Sequence, residues 1–188
     1  MNFGKRLFDV MPTAGVALLL GAGIAVVAPR IALAAQASND AMLCESLRYL
    51  RAEIQVYAEE HSDVAPGYAA SDEQSDPDAE SLASISDDIP INPAAADAER
   101  FVRQLTLFTD TEGHIRPERT DRCDRGPYMV AIPPNPITLK WAVQVVDQAE
   151  MPKVDESRPY GWIYNAHTKR IIANVAGVDS SGVRYADY

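Results

Sequence analysis

Three histidines, two cysteines and 27 acidic side chains are the groups in this 188-residue chain that could do chemistry. His61, His114 and His167 are scattered and form no His-rich metal motif; they read as surface or turn histidines. A Ser/His/Asp triad is assembled in space, so counting alone neither finds nor removes one. No serine, however, lies in the glycine pattern of a nucleophile elbow. Cys44 and Cys123 lack the C-x-x-C spacing of a redox pair. The acids between 62 and 96 lack the D-x-D-x-D-G-x5-E order of an EF-hand loop. Neither a dinucleotide fingerprint nor a phosphate-binding P-loop is present. Trp141, Tyr160, Trp162 and Tyr164 read as strand core rather than as a sugar or ligand platform. The expectation is a non-enzymatic protein with no catalytic residue and no cofactor.

The elements that must position these groups come from charge and periodicity. Seventeen Lys and Arg against 27 Asp and Glu give a net charge of -10. That balance argues against a nucleic-acid partner, which needs a basic face to displace counterions. At 47% hydrophobic residues the chain has enough apolar material for a folded domain. The acids are unevenly spread. Residues 52–99 hold 13 of them and no Lys or Arg, whereas residues 10–29 carry no charge at all.

That uncharged run sets the expected compartment. Lys5 and Arg6 precede it, and Val10 to Pro29 is long enough as a helix to cover about 30 Å, the thickness of the hydrocarbon layer. The positive-inside rule puts Lys5 and Arg6 in the cytoplasm and the remainder outside. The domain plan is a leader over 1–9, a transmembrane segment over 10–30 and an extracytoplasmic helix over 31–62. An acidic loop over 63–96 and a globular head over 97–188 follow. A cleavable secretory signal is the alternative, because Ala32-Leu33-Ala34 is an A-x-A site followed by Ala35. In an oxidising compartment a lone cysteine pair usually bonds. A Cys44–Cys123 disulfide is therefore expected, closing a loop of about 80 residues and stabilising by roughly 4 kcal/mol in the chain-entropy model. Two free thiols are the alternative.

Leu43, Leu47, Leu50, Ile54 and Tyr57 recur at spacings of four, three, four and three, which is one apolar stripe on a helix. No proline falls between Ile31 and Ala65, and Pro66-Gly67 stops the element. Residues 62–96 read as a solvated loop. A second helix is expected over 93–110, capped by Asn92, with Phe101, Val102, Leu105 and Phe108 on one face and Glu112-Gly113 at its exit. Trp141, Val143 and Val145 alternate as in a strand. Residues 161–164 and 170–173 flank a loop of about five residues, 165–169, as a hairpin.

The order of these blocks resembles the type IV pilin superfamily, and within it the major, G-type pseudopilins of type II secretion systems. Pro29-Arg30 closes the apolar segment as in many pilin-like N-termini. LRYLRAEIQVYAEEH, from Leu47 to His61, is similar to the family's helix segment ending in Tyr and His. FVRQLTLFTDTEG (101–113), GPYMVAIPPNP (126–136) and GWIYNAHTKRIIAN (161–174) resemble the blocks that follow it.

The resemblance implies an α+β, pilin-like fold. A long N-terminal helix, half in the membrane and half amphipathic, would pack on a small antiparallel sheet. It implies a periplasmic head on a single-pass inner-membrane anchor. Other pilin-like subunits and secretion machinery would be its partners, driven by a separate ATPase because this chain has no nucleotide site. It also implies a processing site at Leu7 and Phe8. There this sequence is degenerate: the family has Gly before the mature Phe and Glu four residues beyond it, where Leu7 and Pro12 stand. A membrane-buried carboxylate is costly unless paired, and Pro12 cannot form the pair with a neighbouring subunit's terminal amine. Finally, the family's calcium loop corresponds to residues 178–182 and Asp187, so Asp179 and Asp187 are the candidate calcium ligands, with a solvated tail as the alternative.

Overall fold

The computed structural model describes residues 17–69 and 96–188, with side chains from Ala34 onward. The expected leader with Leu7 and Phe8, Pro12 just beyond it, and most of the acidic loop lie outside the described residues. So do the side chains of the expected membrane segment. Among the described residues no helix is long and apolar enough to cross a membrane.

Helix α1 runs from Ala17 to Glu60. Its stripe behaves as its spacing dictates: Leu43, Leu47, Leu50, Ile54 and Tyr57 are all buried. Each contributes roughly 1.5–3 kcal/mol by leaving water. Side chains 34–39 are exposed, so the head buries α1 from Asp40 onward. The helix is followed by Ser62 and Asp63, both at positive φ, and a turn through Pro66-Gly67.

Helix α2 spans Ala98–Thr106. Its cap is Asp97, whose carboxylate accepts the Arg100 amide at 2.8 Å; the expected cap, Asn92, lies outside the described residues. The expected run to 110 is cut short at Leu107. Phe108–Thr109 forms strand β1 and pairs antiparallel with β2, Ile115–Arg116. Backbone bonds between Thr109 and Arg125 then fix this hairpin to the following segment. Phe101 and Leu105 carry the buried face of α2 into the α1 core.

The main sheet has three strands in the order β3-β4-β5: Val143–Val146, Trp162–Asn165 and Arg170–Ala173. It is not the antiparallel sheet expected. The β4–β5 pair is an antiparallel hairpin, but β3 runs parallel to β4 with Val143 opposite Trp162. Residues 147–161 make this possible, because a parallel pair needs a crossover of about a dozen residues or more. All four β4 residues are buried. One face meets α1 and α2. Trp162, which joins that core with Tyr164, donates its Nε1 to the Pro133 carbonyl at 2.9 Å, and Asn165, from the opposite face, donates to the Gln148 and Glu150 carbonyls. Gly161 is required where the chain enters β4, since a Cβ there would lie 2.0 Å from the Lys140 carbonyl oxygen.

Candidate functional site: two polar clusters on the gripped helix

The head holds α1 through the apolar stripe and through two polar clusters at its ends. The first is a clasp made by the C-terminal segment. Asp40 faces inward from α1 and is buried. Its Oδ1 accepts the Tyr185 hydroxyl at 2.8 Å and its Oδ2 accepts the Ser180 amide at 3.0 Å. Burial raises the Asp40 pKa, but the Ser180 amide, the Tyr185 hydroxyl and the Ser180 side chain outweigh it and leave the carboxyl below its ordinary range. About three turns beyond Asp40, Arg51 donates to the carbonyls of Ile171 and Tyr188. Tyr188 in turn donates its hydroxyl to Asp179 at 2.6 Å.

The second cluster lies at the other end, beyond His61. A tight turn with Gly113 at φ +93° joins β1 to β2 and places Asp110, Glu112 and His114 together. Asp110 is 1% exposed and accepts the amides of Glu112 and His114 at 3.1 and 3.0 Å. Its Oδ2 is 2.8 Å from His114 Nδ1 and 2.7 Å from Arg122 Nε. Burial pushes the Asp110 pKa up, and the His114 and Arg122 contacts more than reverse that, holding it low. Gln104 braces the turn by donating to the carbonyls of Gly113 and Tyr68 while its Oε1 accepts the Gly67 amide. The Cys123 thiol sits 3.9 Å from the His114 carbonyl and lines the same small cleft.

His61 joins this cluster to α1. It stacks on Tyr57 with ring centroids 3.8 Å apart. Its Nδ1 lies 2.7 Å from the Tyr57 carbonyl, which can only accept, so the proton is on Nδ1. Nε2 then accepts from the Thr109 hydroxyl at 3.0 Å. Burial lowers the pKa of this ring, keeping it neutral.

Several expectations need correction. His61 and His114 stand at turns as expected but are buried members of networks, not surface groups; His167 is exposed, 3.8 Å from Asp147. Trp162 and Tyr164 are core, but Trp141 is 69% exposed because β3 begins only at Val143. The Cys44–Cys123 disulfide is not formed; both thiols are free. Cys123 belongs to the His61 end of α1, whereas Cys44 lies about 25 Å up the helix from there, and a bridge needs Cα atoms within about 7 Å. Asp179 and Asp187 are not brought together as a ligand pair. Asp179 accepts the Ser181 and Val183 amides and the Tyr188 hydroxyl, while Asp187 forms a two-point pair with Arg184.

The residues that the sequence reading missed are Asp40, Arg51, Tyr185 and Tyr188 in the clasp, and Asp110, Glu112 and Arg122 in the turn. The turn had a signal: Asp, Glu and His at i, i+2 and i+4 around a glycine. The clasp had none, because its partners are about 140 residues apart. Comparison with family models, curated proteins and solved structures finds no match for this chain.

Proposed function

We propose that this chain is a structural assembly subunit of the type II secretion pseudopilin kind. In this reading it is anchored in the inner membrane by residues 10–30 and carries its head in the periplasm. The observation that supports it is the division of α1. Residues from Asp40 to Glu60 are clamped into the head, whereas the helix continues toward its N-terminus with side chains 34–39 exposed, touched by the head at Gln36, which hydrogen-bonds Tyr185. A helix held at one end and exposed at the other is suited to pack against neighbouring helices or to enter a membrane. The pilin-like order of long helix, short helix and C-terminal hairpin belongs to the same reading. So does a partner ATPase, since the chain offers no nucleotide-binding loop. The work of the subunit is packing, and no reaction is assigned to it.

The second reading is a secreted binding domain released after Ala34. The A-x-A site lies six residues before Asp40, the first buried residue of the described head, so cleavage there would leave the grip intact.

The experiment is the intact mass and N-terminal residue of the protein recovered from its native membranes. A start at Phe8 supports a processed pseudopilin. A start at Met1 in the membrane fraction supports an unprocessed anchored relative outside a filament. A soluble product beginning at Ala35 overturns the anchor and favours the secreted domain.

A further inference from the structure

We propose that the turn of Asp110, Glu112 and His114 is a cation-exchange site, which takes a divalent transition metal such as zinc when Arg122 swings out. Three ligand atoms, one from each residue, lie within 4.8 Å of one another. Ligands 2.0–2.2 Å from a tetrahedral zinc are a little over 3 Å apart, so the present spacing closes around an ion with small side-chain shifts.

The second observation is that a cationic group already stands at the point where these ligands converge. Arg122 places Nε 2.7 Å from Asp110, a terminal nitrogen 3.3 Å from His114 Nδ1 and the same nitrogen 4.0 Å from Glu112. Its side chain is 65% exposed, so little packing opposes its departure.

Charge and lone pairs both favour exchange. Asp110, Glu112 and Arg122 together carry one net negative charge, which a divalent ion in place of Arg122 brings to zero among the ligands, with Arg116 the remaining cation on the cleft wall. His114 Nδ1 faces an acceptor, the Asp110 carboxylate, and a donor, the guanidinium. A neutral ring nitrogen can donate or accept there, not both. A metal on the Nδ1 lone pair, with Asp110 as its co-ligand and Arg122 gone, removes that conflict. An imidazole with two carboxylates selects zinc, cobalt or nickel over magnesium and calcium, which prefer all-oxygen sets. A cleft of about 180 Å³, lined by Asp110, His114, Arg116, Thr120, Arg122 and Cys123, gives the ion access and room for a water ligand. Glu112 is exposed and completes the set from the solvent side.

The test is calorimetric titration of the full chain with zinc chloride, repeated with magnesium chloride, and the visible spectrum of the cobalt(II) form. One zinc per chain is expected, with no heat from magnesium. Glu112→Gln, a change at an exposed side chain, is expected to weaken zinc at least tenfold. Arg122→Gln, which removes the competing cation, is expected to tighten it about tenfold. Circular dichroism of both variants checks that the fold is kept. Absence of zinc binding in both the unaltered chain and Arg122→Gln overturns the proposal. So does undiminished binding in Glu112→Gln, or a cobalt–thiolate charge-transfer band, which would put the metal on a cysteine.

Discussion

The two ends of the gripped helix solve the same problem with different partners. Each buries an aspartate. Asp40 is satisfied by a phenol hydroxyl and a backbone amide, both neutral donors. Asp110 is satisfied by two amides, an imidazole and a guanidinium that reaches in from solvent. Around Asp40 the clasp is thus a set of bonds from neutral donors, and its Arg51 guanidinium is bonded to backbone carbonyls rather than to the aspartate. The turn is an electrostatic assembly with one replaceable member. A buried charge held by neutral dipoles fixes structure; one held by an exposed cation can also respond to its surroundings.

This contrast is broken most severely at Asp110. Asp110→Ala strips two turn amides and His114 of their acceptor and leaves Arg122 to solvent, and the expected loss is about 2–4 kcal/mol by urea denaturation. A loss under about 1 kcal/mol would mean that the turn holds itself without the carboxylate. At the other end, Asp40→Ala leaves the Tyr185 hydroxyl and the Ser180 amide without an acceptor, at a cost of about 1–3 kcal/mol. Hydrogen exchange should quicken at Ser180, Val183 and Tyr185 while the β4–β5 amides stay protected; uniform exchange would show that the clasp is no separate unit.

Acid separates the ends further. The folded pKa of His61 lies below its unfolded value of about 6.5. The unfolded chain therefore takes up the proton first, so this stabilisation is complete above about pH 6.5 and declines as pH falls through that value. Asp40 and Asp110 are also depressed in the fold, from 3.8. Their contribution is present above that value and lost only as pH falls through their lower folded values. Thermal melts between pH 8 and 5 should fall in the unaltered chain and stay nearly flat in His61→Gln. An unchanged slope in that variant would move the effect to another group.

The smallest expected effects sharpen the comparison most. Tyr185→Phe removes one bond from a neutral donor to the Asp40 carboxylate, at about 1.5 kcal/mol, with little dependence on salt because no cation takes part. Arg122→Gln costs about 1 kcal/mol or less, and its difference from the unaltered chain shrinks as sodium chloride is raised. Equal salt dependence in the two variants would erase the distinction between the ends.

The apolar skeleton was legible in the sequence and the polar clusters mostly were not. Helical spacing of Leu43, Leu47, Leu50, Ile54 and Tyr57 reports burial directly, since every one faces the same side of α1. The β4–β5 hairpin was equally local. The parallel β3–β4 pairing was missed because nothing within a strand encodes its neighbour's direction; that depends on the length of 147–161. The short end of α2 was missed because Phe108 continues its apolar period, yet its backbone pairs with Arg116. His61 and His114 were read as surface groups because their partners, Thr109 and Asp110, become relevant only after the hairpin forms. Asp40 carries no local mark of its burial, because its partner Tyr185 lies 145 residues away.

The arrangement of the grip also fixes how the molecule bears force. A pull on the N-terminal part of α1 along its axis acts on Asp40, the five stripe residues and Arg51 in shear, all at once. Such a load is resisted by their summed strength, and rupture is governed by the unfolding rate of the whole head. A pull across the helix would meet the Asp40 clasp first and peel the contacts in succession, so the head is stiff along α1 and weak transverse to it.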